Sequence, residues 1–108
     1  MSAKTTLIFN TKEKLRADVV TITIEDYMTY NCGYIYIPAI NAKYVNTDQL
    51  QVHGGVTYSE YTADKKYFVI GFDCAHYGDR KHPKSIGYCK NELIHLSRQI
   101  TKMIRRKR

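Results

Sequence analysis

The stretch QVHGGVTYSEYTADKKYFVIGFDC, from Gln51 to Cys74, alternates apolar and polar residues on both sides of a short polar break. In its first half Val52, Val56 and Tyr58 share one face, while His53, Gly55, Thr57 and Ser59 share the other. In its second half Phe68, Ile70 and Phe72 oppose Tyr67, Val69, Gly71 and Asp73. Period-two alternation is the mark of a half-buried strand, and the polar Thr62 to Lys66 between the halves suits a hairpin loop. Two strands joined this tightly pair antiparallel. If both apolar faces serve one core, the register places His53 opposite Asp73, Gly55 opposite Gly71 and Thr57 opposite Val69.

Working outward, Thr5 to Asn10, Asp18 to Ile24 and Cys32 to Pro38 read as further strands. The last of these sets Tyr34 and Tyr36 against Ile35 and Ile37, and Pro38 ends it. Thr23 to Tyr30 also admits a helical turn capped by Thr23, and residues 39 to 50 read as an irregular connection. From Ser85 the period changes. Cys89, Leu93, Leu96, Ile100 and Met103 recur at alternating spacings of four and three, one stripe of a helix from about Ile86 to Arg105 with Ser85 as N-cap. Ile94 and Ile104 fall off that stripe, which favours a homo-oligomer, a dimer or higher. The fold class expected is therefore α+β: an antiparallel sheet of four to five strands with a long C-terminal helix packed on it.

The 108 residues make a single domain, with a core over about residues 5 to 104 and a basic tail at 105 to 108. No apolar run approaches the roughly 18 residues that a membrane span needs, and the first ten residues lack the apolar centre of a signal peptide. A cytoplasmic protein with no membrane partner is expected. Cys32, Cys74 and Cys89 show no CxxC spacing, so buried thiols are expected rather than disulfides or a zinc knuckle. Ten of the 17 lysines and arginines but two of the ten acids lie from Asp79 onward. The net charge of +7 thus divides into +8 after residue 78 and −1 before it. Nonspecific nucleic-acid contact through the basic helix is one reading of this asymmetry, although part of it serves the helix dipole.

His53, Asp73, His76 and Asp79 are the chemical candidates. An imidazole facing a carboxylate across a hairpin makes a general-base pair, with His53 or His76 as base and Asp73 as orienting group. The same four groups admit a two-histidine, two-carboxylate metal site. No standard ligand spacing is matched, so neither a metal nor a cofactor is assigned. The plainer alternative is that Asp73 caps the turn that follows it, with His53 steadying the hairpin. Gly54, Gly55, Gly71 and Gly78 bare the backbone nearby and let a small molecule approach closely.

NCGYIYIP (31 to 38), VHGGVTY (52 to 58), FVIGFDCAHYGD (68 to 79) and the helical YCKNELIHLSRQI (88 to 100) together resemble a family of small proteins of bacteriophages and bacterial mobile elements. Those proteins read roughly GYVxVP, VHGGLTY or VHGGLTF, and GFDCAHxGD, and end in a helix. The resemblance covers residues 31 to 100. The present chain departs at Val56, where leucine is frequent, and has a shorter segment between the two central motifs. The family brings a setting and no reaction. By analogy with anti-defence proteins of phages, the resemblance implies binding and sequestration of an anionic nucleotide-like immune signal, a cyclic nucleotide or an ADP-ribose derivative. The residues expected to bind it are His53, Gly54, Gly55, Thr57, Asp73, His76 and Asp79, with Tyr34, Tyr36 or Tyr77 stacking and Arg80, Lys81, Lys84 and Arg98 on phosphates. The alternatives are a hydrolase or phosphodiesterase using His53, Asp73 and His76, and a module binding nucleic acid or a host protein through the basic helix.

Overall fold

In the computed structural model five strands, β1 (Ser2–Asn10), β2 (Arg16–Ile24), β3 (Met28–Pro38), β4 (Tyr58–Tyr61) and β5 (Tyr67–Asp73), precede one helix, α1 (Ile86–Lys107). The structure describes residues 1 to 76, 79 and 82 to 108. Tyr77, Gly78, Arg80 and Lys81, among the residues proposed for a ligand, lie outside that set. The strands form one antiparallel sheet in the order β1-β2-β3-β5-β4. The chain is an α+β domain of the expected class.

Alternation sorts the sheet into two faces. Ala17 and Val19 of β2, Ile35 and Ile37 of β3, and Ile70 and Phe72 of β5 are buried against α1. The helix contributes Cys89, Leu93, Leu96, Ile100 and Ile104. Each large apolar side chain removed from water in this layer stabilises the fold by roughly 1.5–3 kcal/mol, and the layer is continuous from Leu15 to Ile104. Ile104 therefore belongs to the core stripe, and Met103 beside it is only partly buried. The support that Ile104 lent to an oligomeric seam is withdrawn.

Polar groups under the helix are paired. The hydroxyls of Thr11 and Ser97 meet at 2.7 Å, and Ser97 donates to Glu13 Oε1 at 2.8 Å, tying the β1–β2 loop to α1. Ser85 caps the helix as expected, accepting from Tyr88 N at 3.0 Å. Two local readings are corrected. Residues 24 to 27 form the β2–β3 hairpin turn rather than a helical turn, with Asp26 at φ 59°. Residues 39 to 50 hold two short 3-10 turns, Ala39–Tyr44 and Thr47–Gln49.

The larger correction concerns the opening stretch. β4 is four residues long and wholly exposed, and Tyr58, not Gly55, faces Gly71. The displacement is three residues, an odd number, so the faces exchange. His53 does not oppose Asp73, and Thr57 does not oppose Val69. Residues 51 to 53 leave the sheet and bond to side chains of α1 instead. Gln99 accepts from Gln51 N at 2.7 Å and donates to Gln51 O at 2.8 Å, while Glu92 Oε1 accepts from His53 N at 2.8 Å. Gly54 and Gly55, at φ 68° and 82°, then turn the chain back toward β4.

Gly33 shows how closely sheet and helix are fitted. A Cβ there would stand 2.5 Å from the Phe72 ring and 3.2 Å from Leu93. Phe72 is buried and has no room to withdraw. Gly33→Ala is therefore expected to lower stability by about 1–3 kcal/mol in urea unfolding. A Phe72→Leu background should recover part of that loss, and equal losses in both backgrounds would refute the steric account.

Candidate functional site

Three segments meet at the N-terminal end of α1. They are the Val52–Gly55 turn, closed by a bond from Gly55 N to Val52 O, the loop after β5, and the helix's first two turns. His53 Nε2 lies 2.9 and 3.0 Å from the two carboxylate oxygens of Asp79, and His53 Nδ1 lies 3.0 Å from the Tyr88 hydroxyl. Asp79 also accepts from His76 N at 3.1 Å and donates its own N–H to His76 O at 2.8 Å. The His76 ring brings Nδ1 to 3.5 Å from Asp79 Oδ2 and 3.7 Å from Asp73 Oδ1. Asp73 accepts from Ala75 N at 3.1 Å, the turn-capping role weighed from the sequence.

Gly54 explains how His76 reaches this place. A Cβ on Gly54 would run into the His76 imidazole, so the ring packs against bare backbone. Gly55 has nothing within 4 Å of its own virtual Cβ and serves only the left-handed turn. The glycines expected to form one floor are separated: Gly54 meets the His76 ring, Gly71 meets Tyr34, and Gly78 lies outside the described residues.

The electrostatics are of one kind. Burial pushes the Asp79 carboxyl up. The His53 ring bond, the His76 backbone bond and the charge of both imidazoles outweigh this and hold it below the ordinary carboxylate range. Burial, then the Glu92 charge, pushes the Tyr88 hydroxyl up, so it keeps its proton. An ionised Asp79 can only accept, so His53 Nε2–H donates to it, and in the neutral ring Nδ1 then accepts from Tyr88. The three cysteines are buried and free, as expected. Cys74 Sγ lies 3.7 Å from Cys89 Sγ, and that neighbour together with burial pushes the Cys74 thiol up, away from nucleophilic use.

A cleft of about 570 Å³ opens beside this cluster. Asp79 and Cys74 form one wall, Tyr27, Tyr30 and Asn31 from the β2–β3 hairpin another, and Pro83, Lys84 and Ile86 the rim at the helix start. The Asn31 amide donates to Lys84 O at 2.8 Å and fixes that rim. The predicted set is thus divided. His53, Gly54, Asp73, His76 and Asp79 come together. Tyr34 and Tyr36 do not: they lie on the sheet face away from α1 and line a separate hollow with Asp18 and Tyr58. Gly55 and Thr57 line a third hollow, beside Asp48 and Leu50. Arg98 is exposed, ten residues and so about 15 Å along the helix from Tyr88.

Sequence reasoning missed Tyr88, Glu92, Tyr27, Tyr30 and Asn31 as site residues. Tyr88 and Glu92, four apart, share a helical face beside the Cys89–Leu93 stripe, and that spacing was the available signal. Comparisons with protein-family models, curated proteins and solved structures return no match for this chain.

Two outcomes follow from the geometry. Gly54→Ala should cost more than Gly55→Ala, because the left-handed penalty of about 1–2 kcal/mol is common to both and only the first displaces a ring. The His76 ring proton resonances should move in Gly54→Ala alone, and equal shifts in both variants would contradict the packing described. Asp79, with its folded pKa below the unfolded value, adds stability at neutral pH that is lost as pH falls through the folded pKa. In chelator-containing buffer, urea midpoints of the native protein should fall more steeply than those of Asp79→Asn between about pH 7 and about pH 3. Parallel curves would remove Asp79 from the acid response.

Proposed function

We propose that the chain binds a small anionic, nucleotide-like molecule in the cleft between the β2–β3 hairpin and the start of α1. In a phage setting such binding withdraws a bacterial immune signal, a cyclic nucleotide or an ADP-ribose derivative. The observation that carries this reading is the cleft itself. At about 570 Å³ it falls within the few hundred to a thousand Å³ usual for small-ligand sites. Tyr27 and Tyr30 offer ring faces there, and Asn31, Thr21 and Thr29 offer polar groups. Lys84 supplies a positive charge at the rim. The first turn of α1 contains no acid, and its positive end suits an anion. Asp79 would oppose an anion if bare, but its oxygens are taken up by bonds from His53 Nε2 and His76 N. Tyr27 and Tyr30 take the stacking role first given to Tyr34 and Tyr36.

A second reading, cleavage of such a nucleotide, is favoured by the chain of contacts Tyr88–His53–Asp79. Both His53 nitrogens are engaged, so the base would be His76, whose Nδ1 faces two carboxylates. One experiment separates the readings. The protein is incubated with cyclic dinucleotides, cyclic mononucleotides and ADP-ribose derivatives, filtered, and heated to release what it holds. A sequestering protein returns one of these intact, and Lys84→Glu and Tyr30→Ala each weaken its retention at least about tenfold, which is 1.4 kcal/mol. Released products that vanish in His76→Ala would establish cleavage instead. Retention of none of the nucleotides would end both readings.

A further inference from the structure

We infer that His53, His76 and Asp79 form a binding site for a divalent transition-metal ion of the zinc type, with a coordination position left open. The inference concerns the side-chain cluster alone and stands whether or not a nucleotide occupies the cleft.

Distance is the first argument. One ligand atom from each residue can be chosen so that all three lie within 4.8 Å of one another. Tetrahedral bonds of about 2.1 Å place neighbouring ligand atoms about 3.4 Å apart. The separations from Asp79 oxygens, 2.9 and 3.0 Å to His53 Nε2 and 3.5 Å to His76 Nδ1, bracket that value. The two histidine nitrogens lie within 4.8 Å of each other, so an ion draws the imidazoles together around the carboxylate.

The second argument is an orphaned atom. His76 Nδ1 is closed to solvent and has no hydrogen-bond partner among the described residues. Buried polar atoms are rarely left so, and each requires an explanation. A ring nitrogen held between two carboxylates, 3.5 and 3.7 Å away, is explained by a cation shared among them.

Support around the cluster is the third. A metal-bound histidine is held by the bond its other nitrogen makes. His53 has such a partner in Tyr88, whose hydroxyl turns from donor to acceptor once Nε2 coordinates and Nδ1 carries the proton. Glu92 fixes the His53 backbone, and Gly54 seats the His76 ring. Asp73 Oδ1, 3.7 Å from His76 Nδ1, stands ready as a fourth ligand or as an anchor for that ring. Two imidazoles and one carboxylate favour zinc, cobalt or nickel over magnesium and calcium, which take oxygen ligands.

The test uses untagged full-length protein, stripped with a chelator, and Zn²⁺ or Co²⁺ as probe. Calorimetry should find one Zn²⁺ per chain with a Kd of about 10 μM or tighter, and Co²⁺ should show the visible bands of a low-coordinate ion. His76→Gln and Asp79→Asn should each weaken Zn²⁺ at least about 100-fold, the upper end of what losing a group that merely supports a ligand costs. His82→Gln and His95→Gln, exposed histidines outside the cluster, should bind as the native protein does. If Asp79→Asn does not fold, His76→Gln decides, because that ring is partly exposed. No Zn²⁺ binding below about 100 μM, equal binding by His76→Gln, or a preference for Mg²⁺ would each overturn the assignment.

Discussion

The contact between His53 and Asp79 holds the N-terminal end of the helix layer together. Asp79 is buried, and a carboxylate removed from water needs partners or it takes up a proton. It finds them in His53 from a turn and in the His76 backbone from its own loop. Neither the turn nor the loop belongs to a sheet ladder at that point. Tyr88 and Glu92 receive His53 from the helix side, so one imidazole joins three segments. Breaking such a pair leaves an uncompensated buried charge, which costs more than the pair contributes when whole.

The sheet supplies the frame for this junction and is covered on one side only. β3 and β5 bury Ile35, Ile37, Ile70 and Phe72 under α1, and β5 delivers Asp73 at its end, next to the loop that carries His76 and Asp79. The opposite face carries tyrosines. Tyr34 packs edge-on to Tyr58 at 5.5 Å, and Tyr36 lies under the Arg16 guanidinium at 4.7 Å. Arg16 is in turn held by both oxygens of the buried Asp18. These rings are partners of other side chains of the sheet, so Tyr34 and Tyr36 do not reach the cleft. The basic end of α1 divides similarly: Arg105, Arg106 and Lys107 sit in its last turn, where positive charge complements the dipole.

Much of the fold was legible because periodicity follows burial. The strands Arg16–Ile24, Met28–Pro38 and Tyr67–Asp73 and the helix from Ile86 each present a face to one core, so their alternation reports geometry directly. The hairpin register was not legible for the same reason in reverse. β4 buries nothing, so no core contact selects its register, and the four residues between Thr62 and Tyr67 impose an odd offset. Val52 and Val56 reach the core from a turn and imitate a strand. The adjacent glycines were the local sign against it, since a Gly-Gly pair marks a turn before it marks a ligand floor. At the site, His53, Asp73, His76 and Asp79 do lie together, but not in the expected pairing. His53 meets Asp79 instead of Asp73, because partners across a loop and a helix leave no trace in alternation. Glu92 and Gln99 were invisible as partners of Gln51 and His53 because a polar helix face looks the same whether it meets solvent or backbone.

The junction and the inferred metal site use the same atoms, and this has a physical consequence. Asp79 cannot give both oxygens to the His53 proton while coordinating an ion, so the ion competes with an internal hydrogen bond rather than filling an idle cavity. Zinc fingers lack such a bond and are unfolded without metal. Here a continuous core and the His53–Asp79 contact are present without any ion, so folding would not depend on the inferred metal. The exchange is local, since Tyr88 serves either tautomer of His53 and Gly54 holds His76 in both states. Exchange of an ion at such a site would leave the adjoining cleft, lined by Lys84 and Tyr30, unchanged.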